Sequence, residues 1–107
     1  MEEPGVWTGR SIICLRALDG PCAPAAFRVP EEGGHLGRAP ENEICLAADG
    51  MVSRQHAEIF SEGEGWVIRD LDSSNGTSVN GEPIEEAWIN PGDEVRIGAG
   101  VYRVEEC

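Results

Sequence analysis

Three short stretches of this sequence carry side chains that could act together. Gly37-Arg38 places a guanidinium after a glycine. Val52-Ser53-Arg54-Gln55-His56 adds a hydroxyl, a second guanidinium and an imidazole, and Asp72-Ser73-Ser74-Asn75-Gly76-Thr77 adds further hydroxyls and a primary amide. Such a set of donors suits a tetrahedral dianion such as phosphate. Charge-assisted hydrogen bonds are worth ~1.5–3 kcal/mol each, so a few of them can anchor a short flexible ligand against its ordering entropy. Catalysis reads less well. Ser53 and His56 stand at a loop-to-strand junction with no acid in place to orient the imidazole, which fails the logic of a nucleophile–base–acid triad. Neither His35 nor His56 belongs to a cluster with metal-ligand spacing, so no metal or other cofactor is expected, and His56 reads as a hydrogen-bonded structural histidine.

The composition sharpens this reading. All 8 basic residues are arginines. The absence of lysine removes Walker-type phosphate loops and Schiff-base chemistry, and leaves the guanidinium, the group suited to bidentate recognition of phosphate, as the fixed side-chain cation. The net charge of −12 makes nucleic acid and anionic membrane poor partners, because the overall field repels them. A local pair of arginines can still hold an anion, since exposed charges are screened over ~8 Å at physiological salt. With 107 residues, the chain suits one domain around one core. No apolar run approaches a membrane span, and the acidic start Met1-Glu2-Glu3-Pro4 is unlike a secretory signal, so a cytoplasmic protein without membrane insertion is expected. Cys14, Cys22, Cys45 and Cys107 form no CxxC pair and are expected to be reduced thiols.

The elements that must position these loops read as strands. Apolar or alternating segments recur at Ser11–Leu18, Ala26–Val29, His35–Arg38, Ile44–Leu46, Gln55–Phe60, Trp66–Leu71, Thr77–Val79, Trp88–Ile89, Glu94–Ile97 and Val101–Val104, each closed by turn residues. Asn80-Gly81 is the strongest hairpin signal, because a type I′ turn needs positive φ at two adjacent positions. Short strands at this spacing predict an all-β sandwich, in which loops gathered at one end carry function. The acidic pairs Glu31-Glu32, Glu85-Glu86 and Glu105-Glu106 fall at expected turns or the terminus and read as solvated surface. Trp66 and Trp88 sit within strand patterns as packing residues, whereas Trp7 falls outside any pattern. Arg16, Arg28, Arg69, Arg96 and Arg103 lie in or beside alternating segments, where the expected meaning is a solvated outward face.

Taken together, Gly37-Arg38, Ile44-x-Leu46, Val52-Ser53-Arg54-Gln55-His56-Ala57 and Asp70-Leu71-Asp72-Ser73-Ser74-Asn75-Gly76-Thr77-Ser78-Val79-Asn80-Gly81 resemble the forkhead-associated (FHA) domain pattern in order, spacing and residue type. The resemblance runs from about Leu36 to Gly81, and the last two strands fit the family's end. It implies an FHA/SMAD-like β-sandwich of two antiparallel or mixed sheets with about eleven short strands, occupying residues 11–107 behind an N-terminal extension over residues 1–10. It implies recognition of phosphothreonine-containing partner proteins downstream of a serine/threonine protein kinase, with no catalysis.

Carried over by position, Arg38 and Ser53 would bind the phosphate, Arg54 would reach the phosphate or nearby peptide backbone, Ser74 would line the phosphate site, and Asn75 would hydrogen-bond the peptide main chain. Gly37, His56 and Gly76 would support the site, His56 by bracing the binding loop and the glycines by adopting backbone conformations that a Cβ disfavours. The family's preference for threonine implies a small pocket for the γ-methyl group, worth ~1 kcal/mol by area, with the rest coming from pre-organisation of the side chain. Loop residues near Asp49, Gly50 and Met51 would set specificity at the third residue after the phosphothreonine. An Asp49 facing the ligand would favour a basic or neutral residue there. The alternative is an FHA-like domain that binds an unphosphorylated partner, or itself, through a sheet face.

Overall fold

Alternation of apolar and polar side chains decides which way each strand faces. In the computed structural model, which describes residues 12–107, β1 (Ile13–Asp19) turns Ile13, Leu15 and Ala17 inward and leaves Arg16 and Leu18 exposed. The same logic runs through β10 (Glu94–Ile97) and β11 (Gly100–Glu106), which bury Val95, Ile97, Tyr102 and Val104. With β2 (Ala26–Arg28), β7 (Thr77–Val79) and β8 (Glu82–Ile84) these form a six-stranded sheet in the order β2-β1-β11-β10-β7-β8.

The facing sheet has five strands in the order β4-β3-β5-β6-β9, built from β3 (Gly34–Gly37), β4 (Ile44–Cys45), β5 (Ala57–Glu62), β6 (Gly65–Asp70) and β9 (Glu86–Ile89). The β3–β4 pair is parallel, and the other pairs in both sheets are antiparallel. Leu36, Ala57, Ile59, Trp66, Ile68 and Ile89 meet the inward face of the first sheet to form the core. The fold is therefore the expected all-β sandwich, with eleven strands among the described residues. Residues 1–11, which include Trp7 and the expected strand start Ser11, lie outside the described residues.

Local chemistry accounts for the details. Asn80 and Gly81 have φ of 51° and 86°, which closes the β7–β8 hairpin as their sequence predicts. Strand β8 itself is not expected from sequence, because Pro83 at its centre cannot donate to a ladder. The structure tolerates the proline by placing β8 at the edge of its sheet. Trp66 is buried against the core, whereas Trp88 is half-buried on the edge strand β9 and pairs with Val67 on the outer face.

Two expectations need correction. Glu86, Glu105 and Glu106 lie within strands rather than in turns or beyond the last strand. Glu86 accepts a hydrogen bond from Arg69, and the Glu105 carboxyl, held below the usual carboxylate range by Arg16 and then Arg103, takes both guanidiniums on the outer face. The cysteines are not all free. β1 and β11 pair with Ile13 opposite Glu106, which brings Cys14 and Cys107 to a Cα separation of 5.6 Å and joins them in a disulfide. Their separation of 93 residues hides this proximity from sequence, which cannot show that the first described strand and the last are neighbours. Cys22 and Cys45 remain free and half-buried.

A cross-link that spans most of the chain restricts the unfolded state strongly. Cys14→Ser and Cys107→Ser should each lower stability by about 2–4 kcal/mol, and the double variant should lose no more than either single one. Chemical denaturation of the oxidised protein and the three variants measures this.

Candidate functional site

The three chemistry-bearing stretches meet at one end of the sandwich, and backbone pairing starts the assembly. Arg38 follows β3 directly, its N–H donating to the Ser53 carbonyl, while the Ala39 N–H donates to the Arg54 carbonyl. The loop after β3 is thereby zipped onto the segment entering β5. Gly37 is required here by space, not by a positive φ: a Cβ at this position would fall on the Arg54 carbonyl oxygen and crowd the Asn42 amide. That amide, on a buried residue, donates to both the Ala39 and Arg54 carbonyls and holds the turn closed. The Arg38 Nε donates to the Val52 carbonyl at 3.1 Å, which aims the rest of its exposed guanidinium away from the core.

His56 joins this assembly to the loop between β6 and β7. It is fully buried, and its Nδ1 accepts the Ser53 N–H at 3.1 Å. Because Nδ1 serves as an acceptor, the proton of the neutral ring sits on Nε2, which donates to the Gly76 carbonyl at 2.9 Å. Gly76 has a φ of 79°, a conformation that a side chain rarely adopts. Two further bonds cross between the loops: the Ser74 N–H donates to Ser53 Oγ at 3.0 Å, and the Asn75 amide donates to the Met51 carbonyl at 2.7 Å. Ser53 Oγ acts as an acceptor in this bond, so its hydroxyl proton is available to a ligand. Asn75 retains its Oδ1 and one N–H.

Three residues outside the expected binding and supporting set hold the loops in shape, and the Ser73 and Thr77 hydroxyls are directed to Asp70. The Asp70 carboxylate accepts from the Ser73 hydroxyl at 2.6 Å, the Thr77 hydroxyl at 2.7 Å and the Ser73 N–H at 3.0 Å. The Ser73 hydroxyl in turn accepts the Gly76 N–H. Burial works to raise the Asp70 pKa, but the hydrogen bonds from Ser73 and Thr77 outweigh it and hold the carboxyl below its ordinary value. Thr77 is buried beside it. The signal was available, since serine and threonine flank this aspartate at short range in a turn-forming run.

Asp49 corrects an expectation. It is fully buried, and its carboxylate accepts the Met51 N–H and the Ala99 N–H, each at 2.9 Å. It therefore ties this loop to the β10–β11 turn and does not face a ligand. Met51, about half exposed, is the side chain this stretch presents outward.

Arg54, Ser74 and Asn75 are exposed, and Ser53 is half-buried. Among the described residues, neither Arg38 nor Arg54 has an acidic partner, whereas Arg16, Arg69 and Arg103 are all ion-paired. In a chain with 20 acidic and 8 basic residues, two exposed guanidiniums with no carboxylate partner among the described residues thus stand on the same loop assembly as one available hydroxyl.

A family model described as the FHA domain matches residues 34–98, which include all three loops. The chain belongs to the FHA domain family. Its FHA fold superposes with a TM-score of 0.81 on a solved structure from a structural and functional analysis of phosphothreonine-dependent FHA domain interactions, at 31% identity over 91% of this chain and 98% of that one. It is similar to the glycogen accumulation regulator GarA of Mycolicibacterium smegmatis, with 38% identity over 88% of this chain and 58% of the relative. It is also similar to the oxoglutarate dehydrogenase inhibitor of Corynebacterium jeikeium, with 40% identity over 88% of this chain and 63% of the relative. The chain thus spans about three-fifths of the length of these relatives. FHA domains are binding modules and not enzymes.

The Asp70 network has a pH signature. A carboxyl with a lowered native pKa contributes its full stability above the ordinary carboxylate range and loses it as the pH falls through its lowered native value. Amide exchange at Ser73 and Gly76 should accelerate on acidification before the strands unfold, and Asp70→Ala should show fast exchange at neutral pH with a loss of about 1–3 kcal/mol.

Proposed function

We propose that this chain is a receptor for phosphothreonine-containing segments of partner proteins, acting after a serine/threonine kinase has modified them. In this reading Arg38 and Ser53 bind the phosphate, Arg54 reaches the phosphate or adjacent backbone, Ser74 lines the phosphate site, and Asn75 bonds the peptide main chain through its remaining amide groups. Gly37, His56 and Gly76 fix the loops. The observation that carries the reading is the pair Arg38 and Arg54, exposed and without acidic partners among the described residues, on the loops that carry the Ser53 hydroxyl in a strongly acidic chain. A doubly charged tetrahedral group satisfies both guanidiniums at once and accepts the hydroxyl proton, which a single carboxylate does less completely.

The names of the relatives, a regulator and an inhibitor, fit a protein that acts on its target by binding. No helix among the described residues is long and apolar enough to cross a membrane. A kinase needs ATP, so this reading takes the activity to be cytoplasmic.

Because the Arg38 guanidinium projects from a loop and contributes little to the core, Arg38→Ala should leave the thermal transition in place. It should weaken phosphothreonine-peptide binding by about 10- to 100-fold, the loss of one or more charge-assisted hydrogen bonds. Fluorescence anisotropy with phosphothreonine, phosphoserine and unphosphorylated versions of one peptide pool tests this. Equal binding of the three versions, undiminished by Arg38→Ala, would refute the proposal and point to a sheet-face interaction.

A further inference from the structure

Arg96 is expected from sequence to be an ordinary outward-facing strand residue, and in one respect it is not. It is exposed on β10, and among the described residues it has no acidic partner, which it shares with Arg28 but not with Arg16, Arg69 and Arg103 on the outer faces; what sets it apart is the surface it borders. Its side chain lines a depression of about 190 Å³ with Asn75, Gly76, Ser78, Pro83 and Gly98. No carboxylate lines this depression. The outer face of the other sheet differs, where a depression is walled by Glu32, Glu43 and Glu58. On its far side Arg96 borders a second depression of about 200 Å³ whose wall includes Glu94, so an anion is favoured on the Asn75 side.

Asn75 belongs to both places. Its amide bonds the Met51 carbonyl within the phosphate-binding loops, and its side of the loop forms the rim of the Arg96 depression. In the phosphopeptide reading, a peptide held along its main chain by Asn75 lies next to this depression. We infer that Arg96 forms a second anionic subsite, which reads a carboxylate or a second phosphate on a residue flanking the phosphothreonine. The inference rests on the phosphopeptide reading and deepens it. The expected preference for a basic or neutral residue rested on an Asp49 facing the ligand; that carboxylate is buried, and the one charged side chain lining this depression is the Arg96 guanidinium.

The test uses phosphothreonine peptides in which each flanking position is fixed in turn as Gln, Glu or phosphoserine, titrated into the wild-type chain, Arg96→Gln, Arg96→Lys and Arg38→Ala. The wild type should favour an acidic group over Gln at one flanking position by about two- to fivefold, the size of an exposed ion pair. Comparison of Glu with phosphoserine then identifies which anion fits. Arg96→Gln should abolish the preference without weakening the Gln peptides, Arg96→Lys should keep part of it, and Arg38→Ala should weaken every peptide. Absence of an acidic preference, or its persistence in Arg96→Gln, would overturn the subsite while the Gln peptides still bind and the phosphothreonine reading stands. Failure of the wild type to bind any peptide would overturn both.

Discussion

The buried imidazole of His56 is the constraint on which the binding end of this sandwich depends. One ring nitrogen accepts the Ser53 N–H and the other donates to the Gly76 carbonyl, so a single planar group sets the spacing between the loop entering β5 and the loop leaving β6. The backbone of His56 also takes part, its N–H donating to the Leu36 carbonyl and its carbonyl accepting the Leu71 N–H. Both loops and the end of β3 therefore share one anchor sealed from water, where a hydrogen bond is strong and an unmade one costly. The bonds from Ser74 to Ser53 and from Asn75 to Met51 become possible only once this spacing is fixed.

Around that anchor, two acidic residues are kept from competing with a ligand. The carboxylates of Asp49 and Asp70 are each occupied by internal donors: two backbone N–H groups for Asp49, and two hydroxyls and an N–H for Asp70. On the outer faces, Glu58, Glu86 and Glu105 take Arg16, Arg69 and Arg103. These exposed pairs contribute little stability, on the order of 0–1 kcal/mol each. Their consequence is distributional. In a chain with a net charge of −12, Arg38, Arg54 and Arg96, like Arg28, have no acidic partner among the described residues, and Arg38 and Arg54 stand on the loops that the proposed reading gives to an anion.

Recognition of this kind separates affinity from specificity. Phosphate contacts through guanidiniums and a hydroxyl would supply most of the binding energy, yet they would be the same for any phosphorylated segment. Discrimination must come from what the flanking residues meet, namely the half-exposed Met51 on one loop and the Arg96 depression beside Asn75. Both lie on elements whose backbone is held by buried groups, so a ligand meets a surface already ordered and loses less entropy on binding.

The sequence by itself determined the strands and the residue types at their connections. Alternation in Ile13–Ala17 and Val95–Ile97, the Asn80-Gly81 turn, and the four motifs from Gly37 to Gly81 follow from local rules of side-chain direction, backbone φ and spacing, and these need no knowledge of distant neighbours. Strand β8 escaped those rules because Pro83 is acceptable only at a sheet edge, and edges are defined by the whole sheet. Tertiary structure alone decided the rest. It paired β1 with β11 and so joined Cys14 to Cys107, and it turned Asp49 inward because two N–H groups from separate loops required an acceptor there. It also set Arg96 beside Asn75. Each of these depends on contacts between residues far apart in the chain, and such contacts are fixed by packing the two sheets, not by any local preference of the residues involved.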